Sequence, residues 1–355
     1  MAAGATRFVG ISPLWARLVL VVMVVATAAL LVLAMPMEGM DTSGPGKQGD
    51  LETYSRVVER LRGGEDYYPA LHAELLAADY GTRSVFNWRP PFFLSMIALL
   101  PSEEWARGVL VALAAIGLGL GAWVARRGGT LVTTGVTVAL LVAGLLSAMV
   151  PRAELACEVW AGVLILISAS AYGLNFRWLG LAAALLALLT REIAAPYVVV
   201  CVVLALGQRR WAEIGAWAIG LIGFAIYYGW HTLTVLSLIG PADRAYPEGW
   251  LQFGGLGFDL GTATFNGLFL LLPVWVTALY LPLALLGLCG WSAKGAVQLA
   301  AAVLGFLVLF ACFGKPDNLY WGSMYTPLLA LGLPWALPAL RDLWTAATPR
   351  QAAVA

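Results

Sequence analysis

The sequence predicts an all-α, polytopic helical membrane protein with about ten transmembrane helices. Of its 355 residues, 61% are hydrophobic and only 12% are charged, and its mean hydropathy is +0.83. A soluble globular domain is roughly 45–50% apolar and about 25% charged. The chain also contains repeated apolar runs near the ~20 residues that a helix needs to cross a bilayer. Most of the protein is therefore expected to lie within a membrane.

Ten spans can be placed by hydrophobicity, at about residues 14–34, 105–124, 130–150, 159–174, 178–190, 194–206, 214–236, 265–288, 297–313 and 320–340. The first run exceeds the ~7–15-residue apolar core of a signal peptide, so we expect a retained span. A shorter apolar piece, residues 92–100, follows Pro90 and Pro91. It covers about half a membrane thickness and is expected to be interfacial or re-entrant.

The distribution of charge orients these spans. With both ends of the chain inside, the inner side carries ten basic and two acidic residues, and the outer side eleven basic and eighteen acidic residues. Basic residues gather in cytoplasmic loops. The long loops, about residues 36–89 and 236–264, are therefore expected outside the membrane. The Ala- and Leu-rich composition is typical of a GC-rich bacterium, which indicates the bacterial cytoplasmic membrane.

Composition also excludes several classes of partner and site. The net charge of +1 and the absence of a basic run indicate no nucleic-acid partner. The four cysteines lie singly, within or beside apolar spans. This pattern is neither a disulfide framework nor a metal-binding spacing, so we expect small packing residues.

The first outer loop contains the most polar sequence of the chain and nine of its twenty acidic residues. Asp50 stands at the position of a helix N-cap, before apolar residues at helical spacing from Leu51 to Leu61. This spacing predicts an amphipathic helix that lies on the membrane and stops at Gly63. A second helix is expected from about Pro69 to Asp79. A plain capping role for Asp50 is the alternative to a functional one.

Further charged residues fall at the outer boundary of the spans, level with this loop. They are Arg152, Glu154, Glu158, Arg191, Glu192, Lys315 and Asp317. Any one of them is equally well explained as an ordinary loop charge or a structural ion pair. They lie beside the three short spans at about residues 159–174, 178–190 and 194–206. Together these features predict an outward-facing polar cavity lined by carboxylates and guanidiniums.

The order of these features resembles the C-type (GT-C) glycosyltransferases. Two short motifs carry the resemblance, GDLETY after the first span and NWRPP further along the outer loop. The third feature is a pair of short spans in GVLILISASAYGLNFRWLGLAAALLALLTREIAAPYVVVCVVLALGQRR. These spans are similar to those of the polyprenol-dependent, mannosyltransferase-like members. Residues 1–237, with outer loop 36–89, match the seven-span module of that superfamily. Residues 238–355, with an outer loop and three spans, resemble its variable C-terminal part.

The resemblance implies an inverting sugar transfer. Such enzymes are hexosyl- or pentosyltransferases that take a sugar, here expected to be a hexose such as mannose, from a polyprenyl-phosphate donor. They pass it to a hydroxyl of a glycan, lipid or protein acceptor in the cell envelope. A carboxylate deprotonates the acceptor, and cations stabilise the leaving lipid phosphate. Many members carry two adjacent acidic residues in the first loop, whereas Leu51 separates Asp50 from Glu52 here. Use of a divalent cation is therefore left open.

The resemblance assigns roles to nine residues. Asp50 is the expected base and Glu52 the second choice, while Tyr54 would shape the pocket. The expected phosphate ligands are Arg191 and Arg152, followed by Arg89 and Lys315. Glu154 or Glu158 would hold sugar hydroxyls or orient an arginine.

The sequence is also compatible with two other functions. A transporter or flippase of lipid-linked or amphiphilic solutes explains charges at membrane depth equally well, although no inverted repeat is visible. A catalytically inactive scaffold of the same fold is the third hypothesis. Convergence of Asp50, Arg152, Glu158 and Arg191 on one cavity would favour the enzyme.

Overall fold

The computed structural model describes residues 6–37, 49–246, 249 and 252–348. Within these residues the protein is helical and has no strand. The helices are α1 (Pro13–Ala34), α2 (Asp50–Arg62), α3 (Tyr67–Ala77), α4 (Pro91–Leu99), α5 (Glu103–Gly128), α6 (Leu131–Leu145), α7 (Cys157–Gly173), α8 (Arg177–Thr190), α9 (Ala195–Gly207), α10 (Trp211–Leu238), α11 (Gly255–Thr264), α12 (Val274–Gly290), α13 (Ala296–Cys312), α14 (Thr326–Gly332) and α15 (Ala336–Ala347).

The helices fit the predicted membrane class. In the described part of the chain, four are long and apolar enough to cross a bilayer: Pro13–Met37, Glu103–Gly128, Leu131–Met149 and Trp211–Leu238. Five shorter apolar helices accompany them, including α7, α8 and α9. The all-α, polytopic class is confirmed, while the count of ten spans stays a prediction.

The first outer loop folds against the protein. Helix α2 has Gly49 as its N-cap, so Asp50 is the first helical residue and the predicted capping role is wrong. The apolar face of α2 packs against α3 and α4, and Val57 and Val58 are fully buried there. The expectation that this face lies on the membrane is therefore wrong, because neighbouring helices cover it. Helix α3 starts at Tyr67, two residues before the predicted Pro69.

Two predicted C-terminal spans are broken. Instead of one helix over residues 265–288, α11 ends at Thr264 and α12 begins after Pro273. Gly267, with φ of +52°, turns the chain between them. The last span, predicted over 320–340, consists of 3₁₀ segments Pro316–Met324 and Leu333–Trp335 with α14 between them and α15 after them. Prolines recur in these pieces, and a proline removes a helical N–H donor.

Helix α7 is the centre of the bundle and is buried on almost all sides. The segment Pro316–Met324 packs closely against it, because a Cβ on Gly162 would overlap the carbonyl oxygen of Ser323. A Cβ on Gly322 would likewise overlap the carbonyl oxygen of Thr262 in α11. These two backbone-to-backbone contacts fix the position of Tyr320 and Trp321.

We therefore expect Gly162→Ala to lower the thermal stability of the protein. The added methyl group has no space beside Ser323, and overpacking of this kind costs about 1–3 kcal/mol. Gly119→Ala in α5 is the control, since no described atom beyond its own helical turn lies within 4 Å of its Cβ position. The measurement is the unfolding midpoint of each purified variant in detergent. Equal midpoints for the two variants would contradict the close approach of α7 to residues 316–324.

Candidate active site

The carboxylate of Asp50 is held by two tyrosines from distant parts of the chain. Tyr80, which follows α3, donates its hydroxyl to Oδ1. Tyr320 donates to Oδ2 at 3.1 Å, and Oδ1 of Asn318 lies at the same distance from that hydroxyl. Asp50 stays partly exposed. A carboxylate that is oriented on both oxygens and still open on one side can receive a proton from a bound hydroxyl.

Tyr54 lies one helical turn after Asp50 and connects it to a buried arginine. The guanidinium carbon of Arg89 lies 5.6 Å from the centre of the Tyr54 ring, and both side chains are buried. The backbone of Arg89 is fixed because Tyr67 donates its hydroxyl to the Arg89 carbonyl at 2.7 Å. Pro90 and Pro91 follow and keep the preceding chain extended. Local sequence therefore directs Arg89 toward α2.

Arg191 is the second buried guanidinium of the site. It follows α8 and is 1% exposed. Its Nε lies 2.8 Å from Oε1 of Glu158, its Nη1 donates to Glu192 at 2.5 Å, and the ring of Trp321 lies 5.9 Å from its guanidinium carbon. Nη2 of Arg89 lies 3.7 Å from the same Glu158 oxygen. Glu158 therefore lies between the two guanidiniums.

The hydrogen bonding of these arginines is incomplete. Within the described residues, the buried Nε atoms of Arg89 and Arg191 have no hydrogen-bond acceptor. The Nε of Arg191 is close to Glu158, but it makes an ion pair without hydrogen-bond alignment. Buried donors are nearly always satisfied in folded proteins. The Nε–H of Arg89 therefore has no described acceptor, whereas the Nε–H of Arg191 lies against the Glu158 carboxylate.

Burial also sets the protonation of the tyrosines around Asp50. It raises the pKa of Tyr54 and of Tyr80 well above the usual value, and the nearby Asp50 carboxylate raises both further. Both hydroxyls therefore keep their protons at neutral pH, and Tyr80 donates a hydrogen bond to Asp50. The positive charges of Arg89 and Arg191 are opposed by Glu158 and Glu192.

Three of the residues assigned from the sequence lie elsewhere. Glu52 pairs with Arg56 at 3.2 Å on the other face of α2. Glu154 is fully buried and takes both hydrogen bonds of the Arg107 fork, each at 2.9 Å. Arg152 is exposed in a turn with φ of +64°. Asp50 is linked to Glu158 and Arg191 through Tyr54 and Arg89, and the convergence of the three on one cavity stays a prediction. Arg152 is exposed and lies outside this group.

Lys315 lies in a polar cleft beside Asp50. The cleft has a volume of about 600 Å³ and is lined by Asp79, Tyr80, Gly81, Arg244, Ala245, Tyr246, Gln252, Lys315, Pro316 and Asp317. Nζ of Lys315 lies 4.1 Å from the centre of the Tyr246 ring. Tyr80 belongs both to this cleft and to the Asp50 carboxylate. The cleft therefore offers an approach to Asp50.

Tyr80, Tyr320 and Trp321 were not assigned from the sequence. They are uncharged, and Tyr80 is an ordinary loop residue in the sequence. The pair Tyr320-Trp321 directly follows the charged turn that contains Lys315 and Asp317. That adjacency was the one available signal for these aromatic residues.

The residues present do not fit a divalent cation. Among those the structure describes, no three His, Cys, Asp or Glu side chains come together to hold a metal ion. The oxygens of Asp50 face tyrosine hydroxyls, and Glu52 is paired with an arginine. A hard divalent cation prefers several oxygen ligands, which these residues do not offer.

Comparison with known proteins shows the fold. No family model and no curated protein matches the chain. The crystal structure of ArnT from Cupriavidus metallidurans in the apo state matches with a TM-score of 0.50 and 15% sequence identity. The match covers 90% of this chain but 59% of the ArnT chain. ArnT is a 4-amino-4-deoxy-L-arabinose transferase of the GT-C family. At this identity the likeness carries the architecture alone: the chain shares the helical fold of this ArnT structure.

Proposed function

We propose that this protein is a membrane glycosyltransferase that moves a sugar from a polyprenyl-phosphate donor to an acceptor hydroxyl in the cell envelope. The observation that carries the proposal is the grouping of one oriented, partly exposed carboxylate with two buried guanidiniums. The helical fold shared with ArnT supports it. The charge distribution supports an extracytoplasmic site.

In the proposed reaction, Asp50 accepts the proton of the acceptor hydroxyl. The oxygen of that hydroxyl attacks the anomeric carbon from the face opposite the phosphate. The new glycosidic C–O bond forms as the bond to the lipid phosphate breaks, so the configuration inverts. Tyr80 and Tyr320 hold the carboxylate in place by hydrogen bonds. Asp50 is favoured over Glu52, whose carboxylate is paired with Arg56.

As the bond between the sugar and the phosphate breaks, the phosphate gains one negative charge and leaves as a dianion, which the arginines would stabilise. Arg89 and Arg191 would donate guanidinium N–H groups to the phosphate, and charge-assisted hydrogen bonds to phosphate are among the stronger polar contacts. Glu158 and Glu192 hold the guanidiniums in position before the donor arrives. Preorganised donors of this kind stabilise developing charge without rearrangement.

Two candidate donors test which sugar the protein transfers. The resemblance to mannosyltransferase-like members makes a hexose such as mannose the first donor to test. The ArnT likeness makes a 4-amino-4-deoxy-pentose the second. The acceptor is a hydroxyl of a glycan, lipid or protein that reaches the polar cleft beside Asp50.

We expect Asp50→Asn to reduce sugar transfer by roughly 10²- to 10⁴-fold, because a positioned general base contributes about that factor. Purified protein in lipid is assayed for transfer from each polyprenyl-phosphate donor. Glu52→Gln, on the same helix, is the matched control and is expected to stay near the wild-type rate. A loss in Glu52→Gln with normal turnover in Asp50→Asn would move the base to Glu52.

We expect Arg89→Lys and Arg191→Lys to lower kcat/KM for the donor by roughly 10- to 100-fold. Lysine keeps the positive charge but loses the guanidinium fork, and a hydrogen bond to a charged group contributes about 1.5–3 kcal/mol. Arg152→Lys is the control, since Arg152 lies exposed outside the site. Dependence on the acceptor concentration should change less than dependence on the donor. Unchanged donor kinetics in both buried variants would remove the two arginines from the phosphate site.

A further inference from the structure

A second charged cavity lies at the opposite end of α8 from Arg191. It has a volume of about 190 Å³ and is lined by Arg177, Trp178, Arg210, Trp211, Ala212 and Glu213. Arg177 is the first residue of α8 and Arg191 follows its last. At 1.5 Å per residue, the two arginines are about 20 Å apart along the helix. The cavity is therefore separate from the candidate active site.

The cavity has an excess of positive charge. The carboxylate of Glu213 is fully used, because Tyr172 donates to Oε1 at 2.9 Å and Nη1 of Arg210 donates to Oε2 at 2.8 Å. The buried Nε of Arg210 has no acceptor in the described part of the chain. Arg177 is exposed and pairs with no described residue. Two guanidiniums thus face the cavity against one carboxylate.

The backbone adds to this positive field. Helices α8 and α10 both begin at the cavity, and neither has a hydrogen bond from a capping side chain at its first turn. The free N–H groups at such helix starts carry partial positive charge. Donors from two helices and two guanidiniums therefore converge on one small volume.

Two tryptophans place the cavity at a membrane interface. Trp178 is 60% exposed and Trp211 is 70% exposed. Tryptophan collects at the level of lipid headgroups, where one part of the ring is in hydrocarbon and the indole N–H meets water. Trp123 and Phe176, whose rings pack 5.7 Å apart, continue this aromatic layer at the end of α5.

We propose that this cavity binds the phosphate of an anionic phospholipid in the cytoplasmic leaflet. Arginine presents a planar fork that binds phosphate oxygens in pairs, and the flanking indoles fit the glycerol and upper acyl region of a lipid. The excess of basic residues assigns this end of the helices to the cytoplasmic side, where anionic lipids are concentrated. Free phosphate shares the same anion chemistry, and the test separates the two sources.

The test measures lipid binding to the full-length protein in detergent by native mass spectrometry. The probes are phosphatidylglycerol, phosphatidylcholine and inorganic phosphate. Wild-type protein should bind one phosphatidylglycerol at least about tenfold more tightly than phosphatidylcholine. Arg177→Gln should lose roughly tenfold in affinity for phosphatidylglycerol, the effect of one lost charge-assisted hydrogen bond.

Arg126→Gln is the matched control. Arg126 is an exposed arginine in the last turn of α5, at the same end of the bundle and outside the cavity. It should bind phosphatidylglycerol as wild type does. Equal losses in the two variants would reduce the effect to general surface charge and overturn the proposal. Binding of inorganic phosphate with no preference for phosphatidylglycerol would also overturn it, in favour of a free anion.

Because Arg177 is exposed and has no ion-pair partner among the described residues, its replacement should leave folding intact. Size-exclusion profiles and unfolding midpoints without added lipid check this for each variant. The proposal is independent of sugar transfer, since binding is read directly. An inactive protein that still binds one phosphatidylglycerol through Arg177 supports it.

Discussion

The carboxylate of Asp50 joins parts of the chain that are far apart in sequence. Its two hydroxyl donors lie 30 and 270 residues further on, at Tyr80 and Tyr320. A carboxylate leaving water needs such partners, because an unpaired buried charge is costly. The contact therefore orders the first outer loop and the C-terminal segment at the same time. The arginine cluster is next to it because Tyr54 follows Asp50 by one turn and packs under Arg89.

The helices were largely predictable, since a chain in lipid must satisfy its backbone within each helix. Helices α7, α8 and α9 begin and end within about two residues of the predicted positions. The failures lie where hydropathy stays high but geometry breaks the helix. Gly267 and Pro273 divide one predicted span, and repeated prolines divide another. A hydropathy window averages over such residues and therefore does not detect the helix breaks that they cause.

The candidate site was predictable to the extent that charge at the membrane boundary marks it. Asp50, Glu158 and Arg191 were found in this way. Charge at the membrane boundary also marks Glu154, which lies outside the site because Arg107, 47 residues earlier, donates to both of its carboxylate oxygens. Charge does not mark Tyr80 and Tyr320, which are neutral and reach Asp50 only through long-range contacts. Sequence position shows where polar groups meet the bilayer surface, whereas tertiary packing decides which of them face each other.

Helix α8 has 14 residues, which at 1.5 Å each gives about 21 Å, whereas the hydrocarbon of a typical bilayer is about 30 Å thick. Such hydrophobic mismatch is relieved when lipids thin around the protein and polar flanking groups reach the headgroups. Arg177, exposed at the start of α8, would therefore draw the headgroups of its leaflet toward the helix. Arg191 follows the other end of α8 but is 1% exposed, so a lipid phosphate would reach it inside the protein and not from the surrounding lipid. The short helix would thus reduce the depth to which a lipid substrate must carry its charged group.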